Sequence, residues 1–206
     1  GGAMFYQIGR MVMRVLTHIL YHVEVRGREK LPLDRGYIVC SNHRANYDPV
    51  FLGIHTKPQL NFMAKEELFR NPLVRIVIRG LGAFPVKRGK GDTSAIDHAE
   101  QLIRDGKVLA MFPEGTRSKD GKPLRPKSGA AVVASQTGAD VIPAAIYFQG
   151  KLHFRSKVIV SFGDVIPNEQ LHITGKSPRE IKEASNLIMG KIIALLEECE
   201  REEQHD

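Results

Sequence analysis

The sequence predicts a single α/β domain with a mixed, mostly parallel sheet flanked by helices, together with an amphipathic helix at the N-terminus. The chain has 206 residues, of which 42% are hydrophobic and 26% charged, which is enough for one substantial core. Short apolar segments typical of strands alternate with amphipathic segments through the middle of the chain. The sequence has neither an internal repeat nor a low-complexity linker, so we expect one domain.

The chain divides into four predicted parts. Residues 1–3 precede Met4 and resemble an expression remnant, so no fold prediction is based on them. Residues 4–23 predict a membrane-associating amphipathic helix, and residues 24–175 predict the α/β core. Residues 176–206 predict a long acidic amphipathic helix from Ser177.

The N-terminal segment has apolar residues at helical spacing. They are Ile8, Met11, Val12, Val15, Leu16 and Ile19. Arg10 and Arg14 lie elsewhere on the helical turn, and the segment is too short and too charged to span a bilayer. Two interpretations remain open, because the helix could pack on the domain's own core or lie in a membrane interface with its arginines at the headgroups.

The core alternates predicted strands and helices. The strands are predicted at 23–32 with turns at Gly27 and Pro32, 36–43, 59–65, 107–117 where the strand runs into a polar loop, 140–148 and 157–166, with a short strand or loop at 82–89. The helices are predicted at 49–56, 71–82, 93–106 with Asp92 as its cap, and 127–138. Polar clusters at His43, Arg88 and 114–117 each follow a strand, so we expect the site at the carboxyl ends of the strands.

The charge distribution indicates an anionic partner. Residues 31–175 carry 20 Lys and Arg against 13 Asp and Glu, whereas residues 176–206 carry an acidic excess. A basic core suits a phosphorylated substrate, an acidic carrier protein or an anionic membrane. Nucleic acid is not expected, because aromatic residues are few and no nucleic-acid-binding motif is present. Cys40 and Cys199 have neither disulfide-framework nor metal-type spacing, so no metal site is expected.

The segment SNHRANYDP, residues 41–49, places His43 five residues before Asp48. Five residues of continuous helix turn through about 500°, so the two side chains can meet only if the residues between them form a turn. One interpretation is a catalytic base with its orienting acid. The other is a strand followed by an ordinary helix start, with Asp48 capping free amides ahead of Pro49.

Four motifs together resemble the glycerolipid acyltransferase family, the 1-acylglycerol-3-phosphate acyltransferases of the PlsC type. They are the His-x4-Asp block at 43–48, the Gly-containing strand ending in arginine at 82–88, the Phe-Pro-Glu-Gly-Thr-Arg block at 112–117, and the apolar-Pro block at 141–143. A lone His-x4-Asp block is a weak signal. Its combination with the third block about 70 residues on is specific, and the resemblance covers roughly residues 24–165.

The resemblance implies an acyl transfer from a thioester to an alcohol. His43 would remove the hydroxyl proton as the oxygen attacks, and Asp48 would fix the tautomer of its ring and stabilise the imidazolium. Arg88 and Arg117, supported by Lys127, would bind the acceptor's phosphate. Glu114 would orient Arg117 or a glycerol hydroxyl, and Gly115 would let the backbone approach the ligand.

The expected substrates are lysophosphatidic acid as acceptor and acyl-CoA or acyl carrier protein as donor, with phosphatidic acid as product and no cofactor. The resemblance further implies a peripheral protein on the cytoplasmic side of the cell membrane. Three alternatives are glycerol 3-phosphate or another lysolipid as acceptor, a non-catalytic lipid-binding protein on the same fold, and a soluble hydrolase. The absence of a G-x-S-x-G motif argues against the hydrolase.

Overall fold

The computed structural model describes residues 1–87 and 93–206. The helices are α1 (Gly2–Leu20), α2 (Asp48–Gly53), α3 (Pro72–Gly80), α4 (Ser94–Arg104), α5 (Gly129–Thr137) and α6 (Pro178–His205). The strands are β1 (His22–Arg26), β2 (Tyr37–Ser41), β3 (Leu60–Lys65), β4 (Ala83–Val86), β5 (Val108–Met111), β6 (Val141–Tyr147) and β7 (Lys157–Phe162). Three short 3₁₀ segments at 28–30, 66–69 and 168–171 complete these elements.

The seven strands form one sheet in the order β1-β7-β6-β2-β5-β3-β4. Neighbouring strands are parallel throughout, except that β6 and β7 are antiparallel. The predicted fold class, a single α/β domain with a mixed and mostly parallel sheet, is therefore confirmed. Strand β2 lies between β6 and β5, so whatever follows it lies near the middle of the sheet's carboxyl edge.

Strand β2 is buried on both faces, as its continuous apolar sequence indicates. Ile38 and Cys40 face a core shared with α4, α5 and α6, while Tyr37 and Val39 face a second core. Helix α2 contributes Phe51 and other side chains to the second core. This two-sided burial holds the end of β2 rigidly.

Local signals in the sequence account for several element boundaries. Helix α6 begins with a complete capping box, in which Ser177 and Glu180 each accept a backbone N–H from the other. Gly82 links α3 to β4 with a φ of 92°, and a Cβ there would lie 2.2 Å from the carbonyl oxygen of Leu60. Only glycine fits this passage. Asp92, the predicted cap of α4, lies outside the described residues.

Helix α1 is amphipathic as predicted, but its polar side, rather than its apolar side, faces the domain. Tyr6 and Thr17 are buried, and Arg10 and Arg14 donate hydrogen bonds to the backbone carbonyls of the segment that follows α2. Most of the apolar side chains of α1 are exposed. The expectation that its apolar side packs on the core is wrong, and so is the expectation that its arginines lie at the headgroups. No helix in the described part of the chain has the length and apolar composition needed to cross a bilayer.

Candidate active site

The candidate site lies where β2, β5 and β6 end. Because these three neighbouring strands are parallel, their carboxyl ends lie side by side at one edge of the sheet. His43 follows β2, Glu114 follows β5, and Phe148 follows β6. Of the polar clusters expected at this edge, the fold brings together those at His43 and 114–117.

His43 and Asp48 are in direct contact. Nδ1 of His43 lies 2.7 Å from Oδ2 of Asp48, across the turn that the sequence predicts between β2 and α2. Asp48 is fully buried, whereas the side chain of His43 is 19% exposed. An ionised carboxylate only accepts hydrogen bonds, so in the neutral imidazole Nδ1 carries the proton and Nε2 keeps its lone pair.

The carboxylate of Asp48 is held by the turn itself. Its Oδ2 also accepts the backbone N–H groups of Arg44 and Ala45, at 2.5 and 2.8 Å. These amides precede α2, and Tyr47 occupies the N-cap position. Asp48 therefore does not cap the helix as the alternative interpretation expected, but closes the turn onto His43. Its other oxygen, Oδ1, is buried without a hydrogen-bond partner in the described parts of the chain.

The ring of His43 is fixed by stacking as well as by Asp48. The ring of Phe112 lies nearly parallel to it, with the centroids 4.2 Å apart. Phe112 is the first residue after β5 in the third motif, so its position in the sequence places an aromatic face beside the imidazole. The stacking limits rotation of the ring about its side-chain bonds and keeps Nε2 directed to one place.

Glu114 binds the backbone of two segments. Its Oε1 accepts the N–H of His43 at 2.9 Å, and its Oε2 accepts the N–H of Leu124 at 2.7 Å. The side chain is buried, and burial raises the pKa of its carboxyl, an effect that the two backbone hydrogen bonds partly offset. With both oxygens occupied by amides, Glu114 holds the histidine turn and the following loop together. The role of orienting a substrate hydroxyl stays a prediction.

Two residues that the sequence analysis did not single out also position the turn. The side chain of Asn42 exchanges two hydrogen bonds with the backbone of Ile146, at 2.8 and 3.0 Å, and so continues the pairing of β2 with β6. The guanidinium of Arg44 lies 3.9 Å from the ring centroid of Phe148 and donates to the carbonyls of Phe148 and Gly150. No local pattern reveals these contacts, because they join residues 104 to 106 positions apart.

Two of the three predicted phosphate-binding cations, Arg117 and Lys127, lie in or against the segment that follows β5. Arg117 is exposed, and the next residue, Ser118, donates its N–H to the carbonyl of His43 at 2.8 Å. Gly115 has a φ of 72°, and a Cβ there would lie 2.8 to 3.1 Å from the side chain of Lys127, so the glycine makes room for the lysine. Arg88 lies outside the described residues.

Comparison with known proteins also indicates an acyltransferase. The sequence model of a family described as Acyltransferase matches residues 22–147. A 1-acyl-sn-glycerol-3-phosphate acyltransferase of Bacillus subtilis is 33% identical over 146 residues, which span 70% of this chain and 71% of that protein. The enzyme of the same name from Streptococcus pneumoniae is 33% identical over 175 residues, which span 81% of this chain and 64% of that one.

Among solved structures, the fold is similar to the crystal structure of the 1-acyl-sn-glycerophosphate (LPA) acyltransferase PlsC from Thermotoga maritima. The TM-score is 0.71 at 28% sequence identity. The match covers 94% of this chain and 79% of that one.

Proposed function

The chain belongs to the acyltransferase family, and we propose that it transfers a fatty acyl group from a thioester donor to the free hydroxyl of lysophosphatidic acid, giving phosphatidic acid. The observation that carries this proposal is the hydrogen bond between His43 and Asp48, which leaves Nε2 free to accept a proton. A buried carboxylate, an oriented imidazole and a neighbouring cation are the groups that this transfer requires.

The proposed reaction starts when the acceptor hydroxyl attacks the thioester carbonyl and Nε2 of His43 takes its proton. The new C–O bond forms as this proton moves, and the negative charge of Asp48 stabilises the imidazolium. The C–S bond then breaks, and the imidazolium returns its proton to the leaving thiolate. The substrate's own hydroxyl is the nucleophile, so no serine or cysteine of the chain is needed.

We assign the acceptor's phosphate to Arg117, with Lys127 in support. A guanidinium can donate two parallel hydrogen bonds to two phosphate oxygens, whereas a lysine acts as a point charge. Arg88 stays a prediction from its motif. The donor would be acyl-CoA or acyl carrier protein, both of which carry anionic groups that suit the basic core.

Mass spectrometry of the products tests this assignment. The protein is mixed with a set of acyl-CoAs, or with acyl carrier protein, and with lysophosphatidic acid, glycerol 3-phosphate or another lysolipid. We expect phosphatidic acid from lysophosphatidic acid and little product from the other acceptors. Faster transfer to glycerol 3-phosphate would reassign the acceptor, and the absence of any acyl transfer would favour a lipid-binding role.

Replacing Arg117 with alanine should weaken binding of the acceptor far more than that of the donor. The lost charge-assisted hydrogen bond is worth roughly 1.5–3 kcal/mol, so we expect the acceptor's KM to rise by about ten- to a hundredfold. Lysine at this position should restore only part of the loss. Steady-state kinetics with each substrate varied in turn measures the effect.

A neutral acceptor provides the control for this prediction. Wild-type enzyme should use a monoacylglycerol poorly, and Arg117→Ala should lose little further activity on it. Equal losses on charged and neutral acceptors would mean that Arg117 holds the site together or binds the donor's phosphates.

We also propose that the protein is peripheral to an anionic membrane, through an exposed apolar surface formed by α1 and α3. On α1 the exposed side chains are Met4, Phe5, Ile8, Met11, Val12, Val15, Leu16, Ile19 and Leu20, and on α3 they are Leu73, Val74, Ile76 and Val77. The helices adjoin, because a Cβ at Gly80 would lie 2.1 Å from the ring of Phe5. We call these thirteen side chains the apolar helix surface. So many adjacent apolar groups favour insertion into the headgroup region of a bilayer.

Binding to lipid vesicles should depend on this surface more than on salt. Glutamine is a good helix former, so α1 should stay helical when Met11, Val15 and Ile19 are replaced with it. Each replacement removes about 1 kcal/mol of apolar burial in the bilayer. We expect the vesicle partition coefficient to fall about a hundredfold. Because Arg10 and Arg14 bind the protein's own carbonyls, raising the salt concentration should weaken binding less than the sequence alone indicates.

Vesicle sedimentation measures this binding, and Leu33→Gln provides the matched control. Leu33 is 68% exposed but lies in the loop before β2, outside both helices. If the triple variant stays folded and sediments like the wild type, the membrane contact lies elsewhere.

A further inference from the structure

We propose that Arg10 and Arg14 are positioning residues for the catalytic pair, because they hold the far end of the helix that begins at Asp48. The inference rests on the proposed function of His43 and Asp48. It assigns to the polar side of α1 a role separate from that of the apolar helix surface.

The contacts are direct and come from two successive turns of α1. Both Nε and Nη2 of Arg14 donate to the carbonyl oxygen of Ile54, at 3.2 and 2.6 Å. Nη1 of Arg10 donates to the carbonyl oxygen of Thr56 at 2.5 Å. Ile54 is the C-cap residue of α2, so Arg14 supplies donors to a carbonyl that has no partner within the helix, and Arg10 binds the chain two residues further on.

The electrostatics favour this arrangement. The C-terminal end of a helix carries a partial negative charge, and a cation placed there is stabilising. Arg10 and Arg14 are partly buried between α1 and the domain, where their hydrogen bonds are shielded from water better than those of a surface arginine. His55, between the two bound carbonyls, is buried and lies with its ring centroid 5.6 Å from that of His18 on α1.

Helix α2 is short enough to transmit a displacement from one end to the other. Ile54 follows Asp48 by six residues, which corresponds to about 9 Å along a helix. Asp48 is the first residue of α2 and the partner of His43. The packing of Phe51 and Leu52 in the core fixes the middle of the helix, so movement of its C-terminal end would tilt the N-terminal end that carries Asp48.

The bonds of α1 to α2 therefore connect the apolar helix surface to the catalytic turn. A helix that binds a bilayer on one side and the end of α2 on the other sets where the catalytic pair lies relative to the lipid. A residue that only anchored the protein to lipid would need no hydrogen bonds to these two carbonyls.

The test uses the full chain with short-chain, monomeric substrates, so that membrane binding does not limit the rate. We expect Arg14→Gln to lower kcat about tenfold with little change in either KM, since small misplacements at a reacting group are costly. Arg14→Lys, which keeps a donor and the charge, should retain more of the rate. Arg201→Gln, at an exposed position on α6, is the matched control and should behave as wild type.

A second readout does not depend on turnover. The proton on Nδ1 of His43, shared with Asp48, should give a downfield proton NMR signal that disappears in His43→Ala. We expect this signal to broaden or move upfield in Arg14→Gln and to be unchanged in Arg201→Gln. Should Arg14→Gln fail to fold, Arg14→Lys and Arg10→Gln carry the same measurement.

The outcomes separate the two proposals. Wild-type protein without acyl transfer would count against the proposed function, while the NMR comparison would still decide the positioning role. An active wild type with an Arg14→Gln variant of unchanged kcat, or of lowered kcat with an unchanged Nδ1 proton signal, would overturn the positioning role.

Discussion

The His43→Ala variant should lose at least about a hundredfold in kcat and remain folded. A general base contributes about 10²- to 10⁴-fold, and Glu114, which also borders the turn, has both carboxylate oxygens bound by backbone amides. The hydrogen bonds that anchor His43 to Glu114 and Ser118 use its backbone, so they survive the substitution. Kinetics with saturating donor and acceptor, together with circular dichroism and thermal unfolding, measure both parts of this expectation.

His205→Ala is the matched control, because His205 is exposed at the end of α6, far along the chain from the turn at 43–48. It should keep the wild-type rate. A His43→Ala variant that unfolds, or one that retains most of its rate, would show that the imidazole is structural.

The Asp48→Asn variant should also lose about a hundredfold in kcat, but because a charge is lost rather than the base itself. The N–H groups of Arg44 and Ala45 require an acceptor at the position of Oδ2, so the asparagine oxygen should take that place. The amide nitrogen would then occupy the position of Oδ1, which lacks a partner in the described residues. The His43 tautomer is kept in this arrangement, and only the negative charge that stabilises the imidazolium is lost.

The folding of the variant distinguishes this loss from a collapse of the turn. The isosteric amide keeps the acceptor for the N–H groups of Arg44 and Ala45, so the Asp48→Asn variant should stay folded while it loses rate. Circular dichroism and thermal unfolding, measured beside kcat, check both parts. A folded variant with the wild-type rate would exclude an electrostatic role for Asp48.

Much of the fold follows from local sequence patterns. The apolar segments at 36–43 and 140–148 contain β2 and β6, and the signals around Ser177 place the start of α6. Strand order does not follow from such signals. The pairing of β2 with both β5 and β6 depends on how helices cover the two faces of the sheet, and this is decided by long-range packing.

The candidate site divides in the same way. The contact of His43 with Asp48 could be predicted, because both residues belong to one turn and the chemistry demands that they meet. The roles of Asn42 and Glu114 could not, because their partners are backbone groups, which no side-chain pattern reveals. The orientation of α1 could not be predicted for a related reason. Its periodicity predicts an apolar face and a polar face, but not which of the two packs against the domain.

The two hydrogen bonds of Glu114 have a consequence for the local stability of the site. A single buried carboxylate joins His43 to Leu124, so opening of the loop around 124 frees Glu114 to move and weakens its hydrogen bond with the backbone N–H of His43. The two amide hydrogens should then exchange with solvent as one cooperative unit, at a rate set by the weaker of the two segments. Substitutions that loosen this loop would therefore reduce the fraction of molecules ready to react, although they touch neither His43 nor a substrate.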